Sequence, residues 1–471
     1  MDLLERFFKL QENGTTVRKE ICNGTTMFLA IAYILAVNPA ILGAAGMPRG
    51  GLFYVTAMAA FIGTLTMGLL ANAPLVLAPA MGLNAFFAFS VVRTMGYSWQ
   101  FALFVVVVEG IVFFLMSLSS IREKIIQVIP LSLKYAMGAG VGLFITLIAF
   151  NSAHIIQSHP VTLVTIQQFS GPGFHTSGIS ALLALAGILL SAFLLHYKVM
   201  GALLWGILGT WGLGIICQLT GIYHVDPATG FYSLLPNFNT AAFTVPLREF
   251  FQLSGSAFHV EQWAHKNEAG QVISGLKLLT SADFLVVCFA FLFSDFFDTV
   301  GTVNGAIVNT PLMEKDGNIP RLKKILLADS IATFAGGVLG TSTTTTFAES
   351  AVGIRGGART GLAAVTCAIL FLVSLVGAPV FLAIPGFATA PALVIVGFLM
   401  IKSTINIDWD DIAGSVPAYI LIVGTVFTYN ISDGLGFGVI SYSILNCFRK
   451  GKVHWMLWLI SLLFIAKYMC L

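Results

Sequence analysis

A chain of 471 residues that is 57% hydrophobic and only 10% charged lacks the polar surface a soluble domain needs, and is too apolar to stay disordered. Its mean hydropathy of +0.90 points to a polytopic membrane protein. The net charge of +3 comes without a basic cluster, which argues against a nucleic-acid partner.

Met1–Ile21 has no apolar core of the kind a cleavable signal peptide carries. With Leu3, Leu4, Phe7 and Phe8, residues 1–21 read as an amphipathic, interfacial N-terminus on the cytoplasmic side. A first half, residues 22–221, then holds apolar segments that begin near Gly24, Leu52, Asn84, Ser98, Leu131, Gly178 and Met200. Residues 222–281 carry mixed charges, Pro227, Pro236 and Pro246, and read as an extracytoplasmic loop. His224, His259 and His265 in that loop fit no metal-ligand spacing, so no metal site is expected. The second half, residues 282–449, has segments that begin near Ala282, Arg321, Phe347, Arg359, Phe387, Ile412 and Gly434. A plain crossing needs roughly 20 apolar residues, so the total is about fourteen transmembrane segments, several of them too short to cross unaided. The last stretch, 450–471, is apolar, carries Trp455, Trp458 and Lys467, and reads as interfacial. The 6 cysteines are scattered and form no CxxC pair, so neither a disulfide framework nor a zinc site is indicated.

Lys and Arg gather in alternate loops: Arg6 to Lys19, Arg122 to Lys134, Lys198, Lys315 to Lys324, Lys402, and Arg449 to Lys452. Asn151–Ser177 has neither. That alternation predicts a cytoplasmic N-terminus.

The apolar pattern overlays on itself with an offset of roughly 250–265 residues. Ala73–Asn84 in the first half, with Pro74 and Pro79, cannot be an ordinary helix. Its counterpart, Thr341-Ser342-Thr343-Thr344-Thr345-Thr346, is rich in β-branched residues and favours a strand. Each leads into a half-length helix, so short strands are expected in the third and tenth segments. An odd number of spans per half gives the halves opposite topology. Inverted repeats with breaks at matching positions point to a secondary transporter whose site lies where the breaks meet.

Ionisable groups at membrane depth are costly and are functional candidates by default. Asp295 and Asp298 are spaced i,i+3 and share one helical face, which Thr299 and Thr302 extend. Glu349 follows the Thr run; it is either a first-turn helix stabiliser or a ligand-binding carboxylate. Asn84 holds the matching place in the first half, with an amide that donates and accepts. Glu109 lies inside Val105–Ile111 with no partner suggested by the sequence. Arg355 and Arg359 flank the tenth segment and are expected near the membrane surface. None of the histidines falls in the cores of the first, third, eighth or tenth segments. A proton-coupled cycle would therefore use a carboxylate, Asp298 or Glu349.

Phe28–Pro39, Leu77–Ala88, Phe297–Thr302, the Thr run with Glu349-Ser350, Gly357–Gly361, Pro417–Tyr419 and Gly438–Tyr442 resemble, in order, the adenine/guanine/hypoxanthine permeases. These AzgA-like purine permeases are a branch of the nucleobase–cation symporters and nucleobase–ascorbate transporters. The resemblance runs from Leu4 to Tyr442. It implies an all-α polytopic fold of the uracil-permease type, with about fourteen spans as two inverted repeats. A core domain of spans one to four and eight to eleven would carry substrate past a gate domain. It further implies that Asp298 and Glu349 bind the purine, that Gly82 and Asn84 belong to the site, and that Asp295 supports transport. Ring stacking from Phe347, Phe87 or Phe86 would complete the grip. A purine presents ring N–H donors and N7/N9 acceptors, which a carboxylate from one or both segments can meet. Thr344 and Thr345 depart from the Val, Thr or Ala that relatives often carry there.

The expected function is import of adenine, guanine or hypoxanthine by symport. H⁺ is the expected coupling ion, with Na⁺ the alternative, and no cofactor is expected. The bilayer and the nucleobase are the expected partners, a second copy of the chain is a candidate one, and the cell membrane is the expected location. A same-fold carrier of uracil, xanthine or another small polar solute is the competing reading. An anion carrier is disfavoured by paired carboxylates. An enzyme is disfavoured too: an intramembrane aspartyl protease would show Gly-x-Gly-Asp, whereas Gly434-Leu435-Gly436-Phe437 lacks the Asp.

Overall fold

The computed structural model describes residues 2–118, 130–159, 162–169, 171, 173–226, 230–266, 272–280, 284–285, 287–292, 295, 299, 302–303, 321–448 and 453–470. Among the described residues, 8 helical segments are long and apolar enough to cross a membrane: Val17–Gly43, Arg49–Ala71, Trp99–Leu118, Leu131–Ser152, Phe174–His196, Ala202–Leu219, Gly361–Leu382 and Gly386–Asn406. Helices Leu322–Leu339 and Ile431–Phe448 have 18 residues each. Ile412–Phe427 is a shorter apolar helix.

The first membrane helix begins earlier than the sequence suggests. Thr16 adopts an extended backbone and its side chain accepts from Lys19 N, which starts the helix at Val17 and carries Glu20 into the interior. This segment is not continuous: Val17–Ile31 ends and Ile34–Gly43 begins, leaving Ala32 and Tyr33 at the break. Pro39, inside the second piece, withholds a backbone donor from Leu35.

Polar and ionisable groups are buried in the interior while large apolar side chains face outward. Glu20, Asn38, Asn84, Glu109, Asp295, Thr299 and Asp329 have no exposure, nor do Thr341 to Thr345, whereas Phe427, Leu189 and Ile405 stand out on the surface. That inversion suits lipid as the surrounding solvent, because buried polar groups then find partners inside the protein.

The helices pack mainly in two groups. Val17–Ile31, Arg49–Thr66, Trp99–Leu118, Leu322–Leu339 and Gly361–Val373 surround one layer, and Leu131–Ser152, Ile179–His196, Ala202–Leu219, Gly386–Ile401, Ile412–Phe427 and Ile431–Phe448 form the other. Strand β1 (Leu77–Pro79) lies in the first group. Helix Trp455–Cys470 packs along Ile431–Phe448, where Ser461 donates to Ser443 at 3.0 Å.

Two small hairpins lie in the connections, β2 (Ile156–His159) with β3 (Leu163–Ile166), and β4 (Ala264–Lys266) with β5 (Val272–Ser274). The 222–281 connection is folded onto the helices. Its helix Ala241–Leu253 brings Glu249 to Gly51 N at 2.8 Å, at the start of Arg49–Thr66. Its Trp263 is buried against Phe104, and His265 stacks on Tyr97 with centroids 4.1 Å apart. His224 instead stacks on His175 at 4.5 Å.

Candidate functional site

The two irregular segments meet. Strand β6 (Thr344–Thr346) pairs antiparallel with β1, in the register Leu77 to Thr346, Ala78 to Thr345 and Pro79 to Thr344. Ala80 N donating to Thr343 O at 3.0 Å and Phe347 N donating to Val76 O at 2.9 Å extend the pairing at both ends. The pairing satisfies backbone groups that lipid would leave bare. Gly340 makes the approach to β6 by ending helix Leu322–Leu339 with φ +100°, where a side chain would meet Leu253 O. Each strand is followed by a short helix: Met81–Ala85, continuing as a π-helical stretch Phe86–Thr94, and Ser350–Gly356.

Glu349 occupies the N-cap position of Ser350–Gly356, yet its side chain makes no capping bond. Ser350 serves the local backbone instead, donating to Phe347 O at 2.7 Å and accepting from Val76 N at 2.9 Å. The Glu349 carboxylate is half-buried and accepts from Tyr33 Oη at 2.7 Å, which lies at the break in the first membrane helix. A carboxylate released from capping and fixed by a buried hydroxyl retains lone pairs for a ligand donor.

The remaining expected site residues divide by environment. Asn84 is fully buried and ties the two segments together: its Oδ1 accepts from Ser342 Oγ, and its Nδ2 donates to Pro79 O at 3.4 Å. Gly82 lets its short helix approach Leu131–Ser152, since a Cβ there would sit 2.5 Å from Val141 Cγ1. Phe347 is buried beside Glu349. Phe86 and Phe87 both pack edge-on against Phe291, with centroids 4.8 and 6.4 Å away. Asp298 lies outside the described residues. Asp295 is buried, and its two oxygens face Thr299 Oγ1 at 3.3 Å and Thr333 Oγ1 at 3.5 Å. Thr302 donates to Thr299 O at 3.1 Å.

The threonine run supplies hydroxyls to two carboxyls, Glu109 and Asp329. Thr343 donates to Glu109 Oε2 at 2.7 Å, the contact that the sequence did not suggest. Thr345 donates to Asp329 Oδ1 at 2.8 Å, and Thr299 reaches Asp329 Oδ2 at 2.9 Å. Asn38 reaches Thr341 at 3.1 Å and Thr56 at 2.7 Å.

Sequence reasoning missed three groups. Tyr33 lies within Phe28–Pro39, a hydroxyl among apolar residues. Asp329 is a lone carboxylate in Leu322–Leu339. Glu20 accepts from Arg359 N at 2.8 Å, Thr360 N at 3.3 Å and Ala363 N at 3.2 Å, and so caps Gly361–Val373 from the first helix. Arg355 is exposed, whereas Arg359 is partly buried and donates to Ile354 O and Ala358 O. A groove of about 280 Å³ between Gly110–Leu115 and Ser330–Phe334 is lined almost wholly by apolar atoms and offers a polar ligand no grip.

A family model described as a permease family matches residues 18–436. The chain is 36% identical to an adenine permease, AdeP, of Escherichia coli, covering 99% of this chain and 96% of that protein. It is 38% identical to a guanine/hypoxanthine permease, PbuG, of Bacillus subtilis, covering 99% of this chain and 100% of that one. Among solved structures, the transmembrane domain of the cyanobacterial bicarbonate transporter BicA superposes with a TM-score of 0.60 at 17% identity, over 88% of this chain and 96% of that one, a likeness of fold alone. The chain belongs to the permease family: it is a multi-pass membrane transporter and not an enzyme.

Proposed function

We propose that this permease imports purine nucleobases (adenine, guanine or hypoxanthine) by proton symport with alternating access. The observation that carries the reading is Glu349, freed from capping and held at 2.7 Å by Tyr33. The carboxylate accepts a ring N–H of the base. The names of the full-length relatives support a nucleobase substrate and a purine one in particular. Asp298 would supply the second acceptor, Phe347 or Phe87 a stacking face, and Asn84 and Gly82 the backing of the pocket. Asp295, Thr299 and Thr302 hold the eighth segment against the strand pair.

In this reading the chain has about fourteen spans in two inverted repeats, and the packing in two groups supports a core that moves against a gate. The β1–β6 pair and its short helices travel with the core. Gly82 rides against Val141 of the gate at a spacing that admits no side chain. The N-terminus is cytoplasmic, the membrane is the cell membrane, and H⁺ drives accumulation.

The test uses purified protein in liposomes with labelled adenine, guanine, hypoxanthine, uracil and xanthine. An inward acid gradient is imposed, with and without a protonophore, and Na⁺ is varied separately. Purines are expected to accumulate under the acid gradient alone, and E349Q to abolish that accumulation. Failure to accumulate any purine, or accumulation by E349Q at the wild-type level, overturns the reading.

A further inference from the structure

The two short helices that follow the strand pair differ in what covers them. Met81–Ala85 and its continuation Phe86–Thr94 are sealed: Leu83 to Ala88, Ser90 and Val91 are buried, and Gly82 presses on Val141 of the gate. Ser350–Gly356 makes its close contacts with the core, Gly353 against Met27 and Gly356 against Asn23 of the first helix. Its other face, continuing from Ala348 through Val352 to Arg355, is exposed at the spacing of one helical side. Half-buried Glu349 borders that face three residues before Val352. An ionisable group at each end of the face suits water and not lipid. The open route to Glu349 therefore runs along Ser350–Gly356, and the entrance along Phe86–Thr94 is shut.

Tyr429 stands at the shut entrance, in the connection between gate helices Ile412–Phe427 and Ile431–Phe448. Its ring is edge-on to Phe89 of the core at 6.0 Å and to Phe144 of the gate at 5.1 Å. Ser90 Oγ donates to its carbonyl oxygen at 3.4 Å, and its hydroxyl meets the side chain of Asn151 in the last turn of Leu131–Ser152. Its backbone has φ +55°, in the left-handed region that glycine or asparagine enters readily and a bulky residue rarely does. Such a conformation persists where the surroundings over-determine it, and it clusters at switch regions.

We propose that Tyr429 is the latch of the outer entrance: its ring, seated on the gate, holds the outer end of the first half-helix, and it must let go of Phe89 and Ser90 before a base can enter from outside. The 222–281 connection marks which end this is, because Ser98 N, just beyond the half-helix, donates to Ala264 O at 2.7 Å. The assignment rests on the alternating-access reading above and takes its orientation from it. In that cycle the two entrances open in turn, so releasing the latch exposes Ser90 and covers Ala348.

The test follows two cysteines, S90C and A348C, in sealed vesicles of either orientation treated with a membrane-impermeant maleimide, with labelling read at each position by mass spectrometry. With Tyr429 in place, A348C is expected to label from the inner side and S90C hardly at all. Y429A removes two ring contacts and should raise labelling of S90C from the outer side about tenfold while slowing that of A348C from the inner side. Y429F keeps the ring and should leave both rates within about twofold of those with tyrosine. The opposite responses of the two positions separate a released latch from a loosened fold, which would speed both. Unchanged S90C labelling in Y429A, or a rise at S90C without a fall at A348C, overturns the proposal. Y429F that labels as Y429A does overturns the ring as the latch. Labelling of A348C from the outer side overturns the orientation, and an outer latch with it. No base is added, so a carrier of some solute other than a purine would fail the uptake test above and still show the coupled labelling.

Discussion

Tyr33→Phe tests the site at a single atom. The substitution keeps the ring, which is fully buried, and removes only the hydroxyl that donates to Glu349 at 2.7 Å. A hydrogen bond to a charged group contributes about 1.5–3 kcal/mol. Glu349 is half-buried, so water can partly replace the lost donor, which places the effect near the lower end, about 1.5 kcal/mol. Because about 1.4 kcal/mol is tenfold in affinity, the Kd for adenine or hypoxanthine should weaken about tenfold. The mechanism predicts a coupled effect as well. In an E349Q background the hydroxyl no longer meets a charge, so Y33F should cost about 1 kcal/mol less there than in wild type. Isothermal calorimetry on the four proteins in detergent measures both quantities, and thermal unfolding separates binding from stability. A Y33F protein that binds within about twofold of wild type, or a cycle with no coupling, would refute Tyr33 as the group that positions the Glu349 carboxylate.

Three further outcomes follow from the same structure. T343V withdraws the hydroxyl that Glu109 accepts from at 2.7 Å, which should cost about 1–3 kcal/mol of stability, seen as a lower melting temperature that E109Q does not produce to the same degree. G82A places a methyl 2.5 Å from Val141 Cγ1, inside contact distance, and overpacking of this kind costs about 1–3 kcal/mol. Uptake by G82A should therefore fall, and adding V141A should restore it; no restoration would show that the clash is not the cause. E20A strips three backbone N–H groups at the start of Gly361–Val373 of their acceptor and should lower the melting temperature more than E20Q, which keeps one acceptor oxygen. Equal melting of E20A and wild type would show that this cap is not what holds the first helix to Gly361–Val373.

What could be read from the sequence was what leaves a local chemical trace. Pro74 and Pro79 deny a helix, and a β-branched run favours extension; those two stretches are the ones joined as β1 and β6. Glu349 and Asp295 were conspicuous because charges in apolar segments are rare. The links between them were not legible, because they join residues far apart in the chain. Tyr33 meets Glu349 across 316 positions, and no periodicity encodes that contact. Asp329 escaped notice for a different reason: Lys323 and Lys324 begin its helix, so one more charge there looked like part of a polar end. Its burial arises only when β6 folds back across the helix. Glu20 was grouped with the interfacial N-terminus because the helix start at Val17 depends on a cap, Thr16, that precedes the apolar run.

The threonine run makes sense as an internal solvent. A transporter that binds a hydrogen-bonding base at membrane depth needs carboxyls there, and carboxyls need donors that lipid cannot provide. Lysine or arginine would satisfy them with a fixed charge and hold the site in one state. Hydroxyls satisfy them while remaining both donors and acceptors, so the same set of oxygens can be bonded in more than one way. Thr343 serves Glu109, Thr345 serves Asp329, and Thr299 lies between Asp329, Asp295 and Thr345. A strand is the form that brings these hydroxyls to the surrounding helices, since successive side chains point to opposite faces. The backbone of that strand is in turn paired with β1, which leaves the hydroxyls of Thr343, Thr345 and Thr346 for the carboxyls. Replacing the threonines by valine would preserve the strand's shape and its pairing with β1, but would leave the carboxyls without the rearrangeable partners that a cycle between two states requires.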